Sequence, residues 1–173
     1  TMTIPVLLTA GAAILGGYFL WMSRYADRTR QPEQRWRLLW FGLGLIVALA
    51  AFVPSSSWFG AQYRFTANML QFMLLSSIAP PLLWLGMPPP VMDLFARQRR
   101  LHFAAKPLYA FFGATALFLV WHLPVPFQVS SSNLPLWLLK QFTFLIAGLW
   151  AWLPVMVPLR VWGTLGFPAK ILY

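Results

Sequence analysis

Five polar side chains carry whatever chemistry this chain has inside its apolar runs. Asn68 and Gln71 stand one helical turn apart, His122 precedes Leu123-Pro124, and Lys140 and Gln141 are adjacent. Lys140 is the most informative. An ammonium about 8 Å from the end of a membrane helix can snorkel out to the interface. Alternatively it turns inward and hydrogen-bonds to Asn68, Gln71 or His122. The chain has only three acidic residues, Asp27, Glu33 and Asp93, and all lie outside the apolar runs. An intramembrane counter-ion for Lys140 would have to come from a partner subunit or a lipid phosphate. Met69 and Met73 are four apart and share a helix face. With His122 their thioethers could hold Cu(I), although Met is also ordinary packing material. His122 itself reads either as a hydrogen-bonded interfacial residue or as a ligand.

Other chemistry finds no footing. With no Cys, disulfides, thiolate metal sites and dithiol redox motifs are excluded. No acid stands where a Ser-His-Asp set or a carboxylate pair would need it. There is no phosphate-cradling glycine loop and no His-x-x-x-His motif. The two histidines, His102 and His122, fall on opposite sides of the membrane and cannot hold two hemes between spans. Nothing here resembles a soluble enzyme, and no bound cofactor is expected.

These side chains need elements to position them, and composition says which. Of 173 residues, 60% are hydrophobic and only 9% charged, against about 25% charged in soluble domains. The pattern predicts an all-α, polytopic transmembrane bundle in one integral membrane domain covering residues 1–173. Five apolar stretches approach or reach the ~20 residues that cross a bilayer: about 4–22, 38–53, 67–86, 107–122 and 135–157. The first lacks a preceding basic stretch, is too long for a signal-peptide core and is followed by Arg24, so it reads as a retained helix.

The net charge of +10 is arranged for a membrane rather than for nucleic acid. Arg24, Arg28, Arg30, Arg35 and Arg37 lie between the first two stretches, and only Arg64 between the next two. Arg97, Arg99, Arg100 and Lys106 follow the third, no charge follows the fourth, and Arg160 and Lys170 follow the fifth. By the positive-inside rule the N-terminus faces out and the C-terminus lies in the cytoplasm. Trp21, Trp36, Trp84, Trp150, Trp152 and Trp162 then fall near the inner boundary, and Trp58, Trp121 and Trp137 near the outer one. The five polar residues share one depth just below the outer surface, with Thr143 slightly deeper. Pro80 and Pro81 interrupt the third stretch and predict a kink there, and Pro88, Pro89 and Pro90 make a stiff exit.

The third stretch, Asn68-Met-Leu-Gln-Phe72-Met-Leu-Leu followed by Ala79-Pro-Pro-Leu-Leu-Trp-Leu-Gly-Met-Pro88, resembles the bacterial CtaG family of assembly factors for caa-type heme–copper cytochrome c oxidase. That family's pattern reads His-Met-x-x-His-Met-Leu-Leu, then Ala-Pro-Pro-Leu-Leu-x-Leu-Gly-x-Pro. Trp121-His-Leu-Pro124 resembles its Trp-His-x-Pro. Lys140-Gln-Phe-Thr-Phe144-Leu, with Gly148 and Trp152-Leu-Pro154, resembles its Glu-His-x-x-Phe-Leu … Trp-x-Pro segment. The likeness covers roughly residues 60–160.

The resemblance implies a role in oxidase assembly, with copper held by outward-facing histidines. Most of those are replaced here. Asn68 and Phe72 stand for two histidines, while Trp137, Lys140 and Gln141 stand for a His-x-x-Glu-His set, and His122 alone remains. A copper site needs neutral imidazole, thioether or anionic donors. An ammonium would repel a metal cation by several kcal/mol at ~4 Å with an effective dielectric near 20. The expected function is therefore a non-catalytic accessory subunit or assembly partner of a respiratory or other electron-transfer complex, most plausibly cytochrome c oxidase. Its site would be the bacterial plasma membrane. One alternative is a copper-handling assembly factor using His122, Met69 and Met73 to deliver Cu(I). A second is a small transporter or channel, against which stand a single intramembrane charge and the lack of any polar stripe through the bilayer.

Overall fold

A computed structural model describes residues 34–53, 64–98 and 105–156, together with residues 9, 13, 14, 16–18, 20, 21 and 24. The described residues contain helices and no strand. Most of the expected first stretch, residues 4–22, lies outside them. Its described residues from 13 to 21 are helical. The chain divides into two compact units, Thr1–Pro88 and Pro89–Tyr173, each taken in turn.

In the first unit, α1 (Gln34–Ala51), α2 (Arg64–Met73) and α3 (Ala79–Gly86) are the labelled helices, and a π-helical turn over Leu74–Ile78 joins α2 to α3. Together α2, the turn and α3 make one apolar helix, Phe65–Gly86, long enough to cross a membrane. The turn explains how Pro80 and Pro81 are tolerated. The Ala79 N–H reaches back five residues to the Leu74 carbonyl, widening the helix one residue before the prolines. Pro80 and Pro81 then fall in the first turn of α3, where a missing N–H costs little. The expected kink site is a change of helical register.

α1 packs against α3 and the π turn through small residues at helical spacing: Gly44, Ala48 and Ala51, all buried. A Cβ on Gly44 would lie 2.9 Å from the Leu83 nitrogen, so any side chain there would push the helices apart. Gly86 is tighter still, because its Cβ would collide with the Phe41 backbone. The other side of α1 stays exposed, with Trp36, Leu39, Leu43 and Ile46 outward. The C-terminal end of α3 is clamped from two directions. Tyr18, stacked on Phe41 with ring centroids 3.8 Å apart, donates its hydroxyl to the Gly86 carbonyl. Arg37 donates to the Met87 carbonyl at 2.8 Å. Both bonds cover carbonyls that a helix C-terminus leaves without partners.

The second unit holds α4 (Pro89–Arg97), α5 (Pro107–His122), α6 (Pro124–Ser132) and α7 (Leu134–Met156). The α7 helix is long and apolar enough to cross a membrane. α5 and α6 pass that test only as a pair, bent by 68° at Leu123. Two short helices, α4 and α6, occupy segments that read in sequence as a proline exit and a connecting loop. In each case proline sits at the first helical positions, where its fixed φ favours the helix. Asn133 is extended, and its side-chain oxygen accepts the Leu136 N–H at 3.5 Å, the geometry of an N-cap for α7. α5 and α7 pack closely where Gly113 leaves room for the Trp150 indole. Among the described residues, two helices suffice to span a bilayer, or three with the bent pair, and α1 is a shorter apolar helix.

Candidate functional site

The polar residues singled out in the sequence divide between the units: Asn68, Met69, Gln71 and Met73 in the first, His122, Lys140 and Gln141 in the second. In the first unit Gln71 is fully buried. Its Nε2 donates to the Val53 carbonyl, just past the C-terminus of α1. Val53 lies in the terminal turn, where its own N–H reaches Ala50 O at 3.1 Å. Gln71 therefore ties the end of α1 to the last turn of α2. Asn68 and Met69 are half-buried, whereas Met73 is 57% exposed. One turn on, Ser76 donates to the Phe72 carbonyl at 2.8 Å, a local bond that competes with the α ladder at the π turn.

In the second unit Lys140 is buried, at 2% exposure. Of the two orientations open to it in the sequence, it takes the inward one. Its Nζ stands 5.6 Å from the centre of the Phe127 ring on α6, within the range of a cation–π attraction, which strengthens when the cation is desolvated. Phe127 is in turn fixed through its own carbonyl, which accepts from the Ser130 hydroxyl at 2.9 Å, and Ser130 is buried. Gln141, next to Lys140, is also fully buried, and Trp137 one turn earlier is nearly so.

His122 closes α5. Its Nδ1 lies 2.8 Å from the Phe118 carbonyl. A carbonyl only accepts, so Nδ1 carries the proton and Nε2 of the neutral ring is the basic nitrogen. The imidazole lies on Phe118 with centroids 3.8 Å apart and 6.2 Å from Phe144. α5 and α7 thus group the His122 imidazole with Phe118 and Phe144, and α6 and α7 set the Lys140 ammonium against Phe127. Phe118, Phe127 and Phe144 escaped the sequence reading because phenylalanine in an apolar run looks like core or lipid surface. One local signal was available for Phe127: Pro124 and the Asn133-Leu-Pro135 run mark a helix start on either side of it.

The donor chemistry fits a resident copper ion poorly. Of the residues singled out as donors, Met69 and Met73 lie in the first unit, Met73 exposed, and His122 is the one imidazole among the described residues of the second, in a packed set of helices that also buries an ammonium. Among the described residues no three His, Cys, Asp or Glu side chains converge. Soft-metal sites need several such donors and no adjacent cation.

Comparison with known proteins comes down to one result. The family model of the cytochrome c oxidase caa3 assembly factor (Caa3_CtaG) matches residues 16–173. No curated protein matches the chain, and no solved structure does. The match runs through both units and includes every polar residue discussed above. Its description points to a role in cytochrome c oxidase assembly. The chain belongs to the family of cytochrome c oxidase caa3 assembly factors.

Proposed function

We propose that this protein assists the assembly of a heme–copper cytochrome c oxidase as a metal-free, multi-pass scaffold in the bacterial plasma membrane. It crosses five times, with its N-terminus outside and its C-terminus in the cytoplasm. It works by packing against oxidase subunits, as an assembly partner or an accessory subunit, and performs no catalysis. The observation that carries the metal-free reading is the buried Lys140. It stands in the segment whose family pattern has Glu-His. A cation held in low dielectric there opposes another cation and takes over the electrostatic place of an ion.

The test is copper per chain, by elemental analysis of protein purified in mild detergent from copper-replete cells, beside His122→Ala. Copper near background in both samples is the expected result. About one copper per chain, lost in the variant, would overturn it. A stoichiometric yield of the chain with mature oxidase would identify an accessory subunit, and a substoichiometric yield with immature oxidase an assembly partner. Recovery with neither would defeat the oxidase reading.

A second reading, copper handling, has one observation in its favour. The Nδ1–H bond to the Phe118 carbonyl orients His122 as metal-ligating histidines are oriented, with the other nitrogen basic. Under that reading Met69 and Met73 supply further soft ligands and the variant strips the copper.

A further inference from the structure

α6 has a geometry that none of the roles above uses. α5 is 16 residues long, about 24 Å of helix, against a hydrocarbon layer of about 30 Å. The chain then turns by 68° at Leu123 into the nine residues of α6. At that angle α6 adds only about 5 Å along the axis of α5. With α5 along the membrane normal, the pair reaches about the thickness of the hydrocarbon layer and α6 runs close to the membrane plane.

The side chains of α6 divide three ways. Phe127 is half-buried and Ser130 buried, both turned toward the protein. Val125, 70% exposed, and Val129, 43% exposed, lie one turn apart on an outward strip. Gln128, Ser131 and Ser132, also exposed, lie to one side of that strip, with Ser132 bordering it, and the two serine hydroxyls donate to backbone carbonyls of α6. The exposed valines are best placed in lipid and the exposed Gln128 amide in water. A helix along the interface uses both. Its attachment is visible as well, since Lys140 on α7 lies against Phe127. The residues flanking α6, Leu123 and Asn133, are both extended, so the segment is joined at each end by a non-helical hinge.

We infer that α6 is an interfacial roof on the outer leaflet, with Val125 and Val129 in lipid and Gln128 and Ser131 in water, held down by Lys140 through Phe127. Lys140 is then a positioning residue, and the roof keeps water from the polar side chains of α7 beneath it. The placement on the outer leaflet rests on the orientation given under Proposed function, whereas the roof itself does not.

The chain has no cysteine, so single-cysteine variants report cleanly. Val125→Cys, Gln128→Cys, Val129→Cys, Ser130→Cys and Ser131→Cys are exposed to a membrane-impermeant maleimide in intact spheroplasts. Positions 128 and 131 should react at least about tenfold faster than 125, 129 and 130. Fluorophores at 125 and 129 should be quenched by nitroxide-labelled lipid. In the Ser130→Cys background, Lys140→Met should raise the labelling rate about tenfold, and Lys140→Arg should keep it low, because a cation still reaches Phe127. Leu119→Cys, on the exposed face of α5, should stay unlabelled throughout and so report an intact fold. Uniform labelling across 125–131, or no effect of Lys140→Met with the fold intact, would overturn the roof. The expected pattern seen only in inverted vesicles would uphold the roof and overturn the proposed orientation.

Discussion

The two long apolar helices solve the same problem differently. Each carries buried polar side chains in its N-terminal half and proline toward its C-terminal end: Gln71, Pro80 and Pro81 in Phe65–Gly86, and Lys140, Gln141 and Pro154 in Leu134–Met156. In the first, the polar group is absorbed by backbone. Gln71 donates to Val53, Ser76 to Phe72, and a π turn accommodates the prolines. In the second, the helix runs without a break, and its buried charge faces an aromatic ring on a neighbouring short helix. The first arrangement reads as structural, since every bond closes on a carbonyl that folding itself left open. The second keeps a charge where a charge is costly, which helix packing alone does not call for.

The glycines give the sharpest way to break this comparison. Gly86→Ala should destabilise the protein by about 3 kcal/mol or more, because the added Cβ meets backbone that cannot step aside. Truncating Phe41 should not rescue it. Gly113→Ala should cost about 1–3 kcal/mol, and Trp150→Leu should recover most of that, since the obstacle there is the indole alone. Thermal or SDS unfolding in mixed micelles measures both. Full rescue of Gly86→Ala by Phe41→Ala would show that the first unit is the more plastic.

Next in size come the buried polar groups. Gln71→Leu leaves the Val53 carbonyl without its side-chain donor and should cost about 1–3 kcal/mol. Lys140→Met should be close to neutral or stabilising in the same unfolding measurement, because removing a buried charge in favour of an isosteric apolar chain relieves desolvation. A loss for Lys140→Met as large as that for Gln71→Leu would make Lys140 a structural residue like Gln71 and erase the contrast. The smallest effect is expected at the π turn. Replacing Pro80 and Pro81 together by Ala should change stability by less than about 1 kcal/mol, well below the ~3 kcal/mol of an interior helix proline. Amide exchange at Ala79 and the two new N–H groups would show whether the wide turn closes to an α-helix.

Much of the architecture was legible before any coordinates. The stretches at 38–53, 67–86, 107–122 and 135–157 correspond to helices within a few residues, because runs of apolar side chains bounded by arginine or proline leave few other options. The short α4 and α6 helices were not legible. Each is nine residues long and begins with proline, and prolines between apolar runs look like a break rather than a beginning.

Residue types alone determined that this is a helical membrane chain, that it lacks thiol and carboxylate chemistry inside the apolar runs, and that its polar content there reduces to a few residues led by Lys140. Those conclusions depend on solvation, which each side chain carries with it. Tertiary structure alone decided that Lys140 turns inward onto Phe127, that Gln71 closes on Val53, and that α6 leaves the line of α5 at 68°. An ammonium that snorkels keeps its water, whereas one that turns inward loses it and needs a replacement partner. Which course it takes depends on whether an aromatic face lies within reach, and the bend at Leu123 brings that face to it.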